Sequence, residues 1–475
     1  MNKRQKICAI IALILALAFA GFSFKLATEV QGTIGYVTDE TWYVSSARNI
    51  LREVFGVQPS YVDSSGRHHY TVFFSSRLDL QDAEAGFGDF IKAEFEGDIT
   101  IKYDKAVAVS IATLKELNYE SVRKAFPGVS TIQSGFNYPD VFGAESYLNA
   151  EHPPLVKYVL GFTMLALGDQ PIVWRTPGII LGALALLLTY FVVAKLLNNE
   201  VFALLVFLFA FTDPVFRAMS SVAMLDIYAT FFVTLAAWLA LRRSYFLSAL
   251  SLGFATSSKF TGVFPLAALF LLMVLVRKSS AKKMVFYPFV VPFLTWLAFN
   301  SPLIIKWGFQ GWTNELVSGL KWFVTSRPPG ALTSAPWGWF VNESPFMLSS
   351  NPDVFASVNP AVYLAALAAI VLTIYLARRT NRDALTPTLW FVFSFLGYVL
   401  IYMLGNRTMY SFYVVTMSTM AYVLACIAAY YFINFVQERL EPRLVRPKKS
   451  RARTRSKRRA KFRTRGSKGH QASLF

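Results

Sequence analysis

Long apolar stretches recur along most of this 475-residue chain and constrain its fold more than any other feature. Several approach the roughly 20 residues that a helix needs to cross a bilayer. Only 16% of the residues are charged, against about a quarter in globular domains. We therefore predict an all-α polytopic membrane protein. The ten longest runs cover residues 7–24, 172–195, 201–216, 219–241, 245–258, 260–276, 284–304, 358–377, 386–404 and 409–435.

The predicted fold has about ten transmembrane helices and one juxtamembrane helix. The juxtamembrane helix is the run at 155–167, which is short and follows Pro153 and Pro154. The first run has the basic start of a signal peptide. It is long, however, and no convincing small-residue cleavage site follows it, so we interpret it as a retained anchor helix. Cys8 and Cys426 lie far apart in apolar runs and do not indicate a disulfide framework.

The orientation follows from the positions of Lys and Arg between the apolar runs, since cytoplasmic loops carry an excess of these residues. With the N-terminus inside, all the basic clusters fall on one side of the membrane if about ten helices span it. They are Lys195, Arg242–Arg243, Arg277–Lys283, Arg378–Arg379, Arg382 and the C-terminal tail. The first loop and the segment 306–357 are then extracytoplasmic.

From Arg443 onward the tail contains 14 Lys or Arg residues and no Asp or Glu. Such a segment next to the last span is typical of binding to anionic lipid head groups. We predict that the tail is disordered and cytoplasmic. A chain as apolar as this one is not expected to have nucleic acid as its partner.

We divide the chain into six segments. The first extracytoplasmic loop contains a small α+β insertion at about 56–145, with strand-like spacing at Tyr70–Phe74 and Ile99–Ile111 and a helix over Leu114–Phe126. The segments are an anchor helix (1–27), the first loop (28–152), a transmembrane core (153–305), a Trp-rich loop (306–357), C-terminal transmembrane helices (358–436) and the basic tail (437–475).

Charged residues collect at the predicted outer face, where the positive-inside bias makes cations unusual. The acid pair Asp39-Glu40 follows the first span by about a dozen residues. A set of carboxylates and cations at one interface indicates group transfer from a lipid phosphate, because cations bind phosphate and a carboxylate can accept a proton. The remaining members of the set are Glu151, His152, Arg175, Arg217, Asp226, Lys259 and Arg407.

Simpler roles remain open for most of these residues. Arg217 and Asp226 are as well explained by an ion pair as by catalysis. The Lys259 side chain could extend to the interface without binding a ligand, and His152 is more often a structural hydrogen-bond partner than a ligand. The pair His68-His69 lacks further ligands at a workable spacing for a metal.

Several motifs follow one another along the chain: Thr38–Glu40, Ala47–Ile50, His152–Lys157, Arg175–Gly178, Arg217–Asp226 with Phe231-Phe232, Ser257–Gly262, Pro336–Trp339, Asn359–Ala361 and Arg407 with Tyr413. In this order they resemble the motifs of the protein O-mannosyltransferase family of membrane glycosyltransferases. They occur over residues 30–415. The chain departs from the family in its long gap between Glu40 and His152 and in Ser411–Tyr413, where the family has Tyr-His-Tyr.

The resemblance implies a polyprenyl-phosphate sugar donor and catalytic groups on the outer face. We predict Asp39 as the general base, and we predict that Glu40 orients the acceptor or tunes the pKa of Asp39. Inversion at the sugar follows from in-line attack. Candidate ligands of the donor phosphate are Arg175, Lys259, Arg407 and His152, and supporting roles fall to Glu151, Arg217 and Asp226.

The sequence constrains the identity of the acceptor and of the membrane less than it constrains the reaction. The resemblance implies mannose transfer to protein Ser or Thr hydroxyls. The same reaction on a glycolipid or lipid-linked glycan is the alternative, and a lipid-linked sugar transporter is a more distant one. The chain lacks the carbohydrate-binding module of eukaryotic members, which favours a prokaryotic cell membrane over the endoplasmic reticulum. No cofactor is certain; a divalent metal stays open, without a visible ligand set.

Overall fold

Helices make up most of the structure, a computed structural model that describes residues 2–32, 34–275, 280–326, 328–330, 332–379 and 382–440. Short 3-10 turns join several of them. The helices are α1 Lys3–Glu29, α2 Glu40–Phe55, α3 Arg77–Phe95, α4 Tyr119–Ala125, α5 Leu155–Leu167, α6 Pro171–Leu197, α7 Glu200–Ala203, α8 Leu205–Phe211, α9 Pro214–Ser220, α10 Asp226–Leu241, α11 Tyr245–Ser258, α12 Pro265–Leu275, α13 Ala281–Val285, α14 Val291–Val324, α15 Pro360–Arg379, α16 Leu385–Met403 and α17 Val415–Leu440.

Six helical segments of the described chain are long and apolar enough to cross a membrane, or seven if one bent pair counts as a single span. Leu155–Leu167, Asp226–Leu241 and Phe260–Leu275 are apolar but shorter. The first of these is the predicted juxtamembrane helix. These helices support an integral membrane protein, whereas the number of about ten spans and the sidedness stay predictions.

The bent pair divides the predicted run at 201–216. Its two parts, Glu200–Phe211 and Pro214–Ser220, meet at 77°. Pro214 starts the second part, where its missing N–H costs nothing. Buried Asp213 at the bend accepts hydrogen bonds from the Asn359 N–H (3.0 Å) and from the hydroxyls of Tyr363 (3.0 Å) and Tyr422 (2.6 Å). These bonds stabilise a break that would otherwise leave polar groups unsatisfied in an apolar environment.

The helix after the bend packs closely on α6. A Cβ atom at Gly182 of α6 would overlap the side chain of Ser220. Small residues at such a crossing let two helix backbones approach each other. The close approach lies next to the start of the segment 221–225, which leads into α10.

The predicted α+β insertion is a four-stranded antiparallel sheet with two helices. The sheet order is β2-β3-β1-β4, and buried Val72, Phe87 and Ile111 are in its core. The strands are β1 His68–Phe74, β2 Gly97–Lys102, β3 Ala108–Thr113 and β4 Val129–Ser134. The segment predicted as one strand, Ile99–Ile111, is two strands, and the predicted helix over Leu114–Phe126 is only Tyr119–Ala125. The position of this unit outside the membrane stays a prediction.

The predicted Trp-rich loop is partly helical. Helix α14 continues to Val324 across a kink at Gly308, whose φ is 70°. A hairpin of β5 Phe346–Ser350 and β6 Asp353–Ala356 follows. Trp312 and Trp339 of this segment are buried in the protein.

The chain divides into a compact unit of Met1–Ala429 and a second unit of Tyr430–Phe475. The described part of the second unit is the end of α17. Residues 441–475, which contain nearly all of the predicted basic tail, lie outside the described residues.

Candidate active site

Asp39 lies at the N-terminus of α2, after a tight turn. Gly35 and Thr38 in this turn have φ of 81° and 49°. Asp39 is the N-cap residue, but its side chain makes no capping hydrogen bond. Its carboxylate instead accepts a long hydrogen bond (3.5 Å) from the hydroxyl of Tyr43, one turn along the helix. The Asp39 carboxylate is therefore not used to cap the helix.

Asp39 faces a cavity of about 520 Å³. This cavity, which we name the Asp39 cavity, brings together side chains that are far apart in sequence. Its polar lining includes Asp39, Tyr43, Asn149, Glu151, His152, Lys259, Thr261, Tyr398, Asn406, Tyr410 and Tyr413. Four of the nine predicted site residues meet here: Asp39, Glu151, His152 and Lys259.

Burial raises the pKa of the Asp39 carboxyl, and nearby charges modify that effect. The Lys259 ammonium lowers the pKa of Asp39, whereas the Asp226 carboxylate raises it. A carboxylate with a raised pKa is a stronger base than an ordinary Asp. The same burial raises the pKa of Tyr43 well above its usual value, so this phenol stays protonated and donates to Asp39.

Lys259 ends α11 and supplies the cation of the cavity. Its ammonium lies 2.6 Å from the Asp226 carboxylate and 4.2 Å from the centre of the Tyr413 ring. Asp226 is fully buried at the start of α10, and its second oxygen, Oδ2, has no hydrogen-bond partner among the described residues. The alternative of Lys259 extending alone to the interface does not fit these contacts. The predicted supporting residue Asp226 instead holds Lys259 at the wall of the cavity.

The segment before α5 contributes Glu151 and His152. The Lys157 ammonium donates to the backbone carbonyls of Asn149 and His152 and so fixes this turn. Burial, with the Lys157 and Lys259 charges, holds the pKa of His152 well below its usual value. His152 is therefore a neutral imidazole at physiological pH. Burial also raises the pKa of Glu151, which accepts hydrogen bonds from Tyr147 and Asn149.

Glu40 points away from the cavity. Its carboxylate is fully buried and accepts the backbone N–H groups of Val37 (2.9 Å) and Ala223 (2.7 Å). The Arg175 guanidinium binds the same carboxylate in a bidentate manner, at 2.8 and 2.7 Å. The predicted catalytic role of Glu40 does not match this geometry, because its oxygens are already occupied by protein donors.

Arg175 is equally occupied. Besides its two bonds to Glu40, it donates to the backbone carbonyls of Ala27, Val30 and Gly35. These five bonds use all five guanidinium N–H groups. The prediction that Arg175 binds the donor phosphate does not match this geometry either. Arg175 joins the end of α1 to α6 and to the acid that follows Asp39.

The other two predicted cations lie outside the Asp39 cavity. Arg217 is exposed on α9, and the alternative of its pairing with Asp226 is wrong because Asp226 binds Lys259. The exposed Arg407 guanidinium lies over the Tyr402 ring, 4.3 Å from its centre. Its neighbours Asn406 and Thr408 line the cavity, so Arg407 is at the rim.

Sequence reasoning missed a third buried ion pair, beside those of Arg175 with Glu40 and Lys259 with Asp226. Asp169 binds Arg48 of α2 at 2.6 and 2.8 Å and also accepts the Trp174 indole N–H at 2.7 Å. The Asp169 N–H donates to the Ser60 carbonyl, and Asp169 accepts the Phe136 N–H. The pair thus joins α2 to the α+β unit. A lone acid between two apolar runs was the only signal for it.

Among the described residues, no group of three or more His, Cys, Asp or Glu is arranged to hold a metal ion. His69 instead accepts or donates a hydrogen bond with Asp63 at 3.0 Å. The chemistry visible at the Asp39 cavity is that of two carboxylates (Asp39 and Glu151), one ammonium, one imidazole and several phenols. A helical membrane protein with an acid and a cation in one buried cavity fits the class of membrane group-transfer enzymes.

Comparison with known proteins agrees with this class. A family model described as dolichyl-phosphate-mannose-protein mannosyltransferase matches residues 151–305. The polyprenol-phosphate-mannose–protein mannosyltransferase of Corynebacterium glutamicum is 22% identical, over 58% of this chain and 70% of the relative. These two matches confirm the family resemblance that the motifs predict, and the class of the enzyme, a glycosyltransferase.

Solved structures give a weaker likeness. Crystal structures of ArnT from Cupriavidus metallidurans, bound to undecaprenyl phosphate and in the apo state, have TM-scores of 0.44 and 0.41 at 14% and 16% identity. The alignments cover 59% and 58% of this chain. The chain spans about half the length of these structures, 50% and 49%.

Proposed function

We propose that this protein transfers a sugar, with mannose as the first candidate, from a polyprenyl-phosphate donor to a hydroxyl acceptor on the extracytoplasmic face. The observation that carries the proposal is that Asp39 and the Asp226-bound Lys259 line one cavity. The protein Ser or Thr hydroxyl is the first candidate acceptor. The names of the matched family and of the C. glutamicum relative support both the donor and this acceptor.

In the proposed reaction, Asp39 accepts the proton of the acceptor hydroxyl as its oxygen attacks the anomeric carbon. The bond from that carbon to the phosphate oxygen breaks, and attack from the opposite side inverts the configuration. General base catalysis by a positioned carboxylate contributes typically 10²–10⁴-fold. The raised pKa of Asp39 supports this role, since a carboxylate with a raised pKa is a stronger base than an ordinary Asp.

Lys259 is the proposed ligand of the departing lipid phosphate, which gains charge as the bond breaks. The contact of Lys259 with Asp226 and the Tyr413 ring holds its ammonium at the cavity wall before the donor binds. Arg407 approaches from the rim, and the neutral His152 imidazole offers an N–H. Arg175 has no role at the phosphate in this version of the mechanism.

Glu40 and Arg175 are proposed as positioning residues. The Glu40 carboxylate binds the backbone of Ala223, three residues before Asp226, and its own backbone follows Asp39 directly. The pair therefore ties the base to the segment that leads to the Lys259 partner. This connection would keep the separation of Asp39 and Lys259 constant during the reaction.

The test is a transfer assay in membranes that contain the full-length protein. Polyprenyl-phosphate donors with different sugars are supplied, and labelled product is sorted into protein and lipid fractions. We expect mannose in the protein fraction and no transfer by Asp39→Asn. Arg217→Gln, on an exposed helix face, is the matched control and should keep normal transfer. Label in the lipid fraction alone would contradict the protein acceptor, and transfer by Asp39→Asn would contradict the base.

A further inference from the structure

The α+β unit has a cavity of its own, of about 360 Å³, which shares no lining residue with the Asp39 cavity. Its walls come from four places: the segment before β1, the first residues of β1, the turn into α4 and the last residue of β4. Gln58, Tyr61, His69, Glu116 and Tyr119 are among the residues that line it. Nothing in the proposed transfer reaction uses these side chains.

The polar groups of this cavity can both donate and accept hydrogen bonds. The Gln58 amide oxygen accepts the N–H and hydroxyl of Ser134, at 3.0 and 3.1 Å. What Gln58 offers to a ligand is therefore its NH₂ group, a double donor. Ser60 and Glu116 are exposed and add a hydroxyl and a carboxylate. Such a mixture suits a ligand with several hydroxyls, because each hydroxyl also both donates and accepts.

Two tyrosine rings at this cavity are held by other rings. Tyr61 packs against His69 and Phe136, with ring centres 4.8 and 5.5 Å apart. Tyr119 meets Tyr70 edge-on at 6.1 Å. Both Tyr61 and Tyr119 remain partly exposed. Fixed aromatic faces bind apolar ligand surfaces at a low entropy cost, and a pyranose ring has an apolar C–H face beside its hydroxyls.

A third observation comes from the His69 imidazole. Its Nε2 is 3.0 Å from the Asp63 carboxylate, whereas its buried Nδ1 has no hydrogen-bond partner among the described residues. An unsatisfied buried polar atom at a cavity wall needs an explanation. A hydroxyl of a bound ligand would supply the missing partner.

The charge of the lining selects among polar ligands. Of the described residues that line the cavity, one is a carboxylate and none is Lys or Arg. Phosphates and other anions require cations or clustered N–H donors, so an anionic ligand does not fit. We infer that this cavity is a second saccharide site, which binds a neutral mono- or disaccharide. The inference does not depend on the transfer reaction. If the protein also transfers sugar as proposed, this second site would keep the glycosylated acceptor bound to the enzyme.

The experiment is saturation-transfer difference NMR on the purified full-length protein, titrated with methyl α-mannopyranoside, mannobiose, and matched glucose and galactose glycosides. Glu116→Gln is the test variant and Glu120→Gln, an exposed acid four residues away, is the matched control. We expect Glu116→Gln to weaken binding about tenfold, since the hydrogen bond from the ligand then goes to a neutral amide oxygen instead of a charged carboxylate. Tyr119→Leu should also weaken binding, with its unfolding temperature checked against the wild type.

All measurements are made in an Asp39→Asn background as well, because the Asp39 cavity is also expected to hold sugar. Binding that is lost in Glu116→Gln but kept in Asp39→Asn supports the second site. Equal binding by Glu116→Gln, Tyr119→Leu and Glu120→Gln would overturn it, as would an absence of any sugar binding at tens of millimolar. Loss of transfer in Asp39→Asn with intact sugar binding separates this inference from the proposed function.

Discussion

Asp39 and Glu40 are neighbours at the start of α2, and the fold gives them opposite environments. Glu40 accepts four hydrogen bonds from Val37, Ala223 and Arg175, whereas Asp39 accepts one long bond from Tyr43 within the described structure. Glu40 is fully buried, and Asp39 lines a cavity. A carboxylate with occupied oxygens can fix a backbone but cannot accept a substrate proton. The difference supports the proposed positioning role of Glu40 and the proposed role of Asp39 as the base.

The same contrast holds for the cations. Arg175 uses every N–H on protein groups, whereas Lys259 has one strong partner, Asp226, and a ring face beside it. Arg175 pairs with Glu40 and Lys259 pairs with Asp226, and of these two cations only Lys259 lines the Asp39 cavity. Variants of the Glu40–Arg175 pair and of Asp39 and Lys259 test whether the two groups of residues also differ in function.

The largest effect is expected from Asp39→Asn. We expect transfer to fall about 10²–10⁴-fold, because the general base is lost. The unfolding temperature in detergent should stay near that of the wild type, since this side chain makes few contacts. Both quantities are measured on the same preparation. Near-normal transfer by Asp39→Asn would contradict the proposed role of Asp39 as the base.

Arg175→Met is expected to act on stability. Removing one partner of a buried ion pair typically costs about 3–5 kcal/mol, because the remaining charge is left without compensation. Denaturant unfolding of the purified protein measures this change. The double variant Glu40→Gln/Arg175→Met should recover part of the loss, since it also removes the stranded carboxylate. A fully stable Arg175→Met protein with weakened donor binding would restore Arg175 as a phosphate ligand.

A smaller and more specific effect concerns pH. Asp39 works as a carboxylate, so transfer should decline as the pH falls through its pKa. Burial raises that pKa, so the decline begins at a higher pH than for an ordinary Asp. Lys259 lowers the same pKa; in Lys259→Gln it rises further, and the acid limb of kcat/KM should move to higher pH. A limb at an unchanged or lower pH would contradict the coupling of the two residues.

The smallest effect is expected from Tyr43→Phe. The lost hydrogen bond is long, at 3.5 Å, so transfer should fall by less than about tenfold. Because Tyr43 also lowers the pKa of Asp39, the acid limb should move slightly upward, in the same direction as for Lys259→Gln. A loss as large as that of Asp39→Asn would show that the phenol itself takes part in the reaction.

The sequence was sufficient to predict features that depend only on the residue type and on its position relative to the apolar runs. The order of the motifs predicted that Asp39, His152 and Lys259 belong to one site, and the structure brings them to one cavity. The α+β unit was also predictable from its strand-like spacing. The strand predicted over Ile99–Ile111 was too long, because its alternating pattern continues through the turn that separates β2 from β3.

Partner choice could not be predicted from the sequence. A sequence gives the number of charges near an interface but not which oxygen meets which N–H, so Glu40 and Arg175 resembled reacting groups. Arg217 and Asp226 were compared as a pair because nine residues separate them. The segment 221–225 is not a continuation of α9, and it directs Asp226 toward Lys259. Such contacts depend on helix breaks that composition does not encode.

The bend at Asp213 sets a length requirement on the chain. After the 77° turn, α9 runs for seven residues before the segment whose Ala223 N–H binds Glu40. One residue added to this helix would rotate that segment by about 100° and advance it by about 1.5 Å. The Ala223 N–H would then point away from its carboxylate. The number of residues between Asp213 and Ala223 is therefore constrained by the Glu40 hydrogen bond. Insertions in this segment should be tolerated far less than insertions in the exposed turns of the α+β unit.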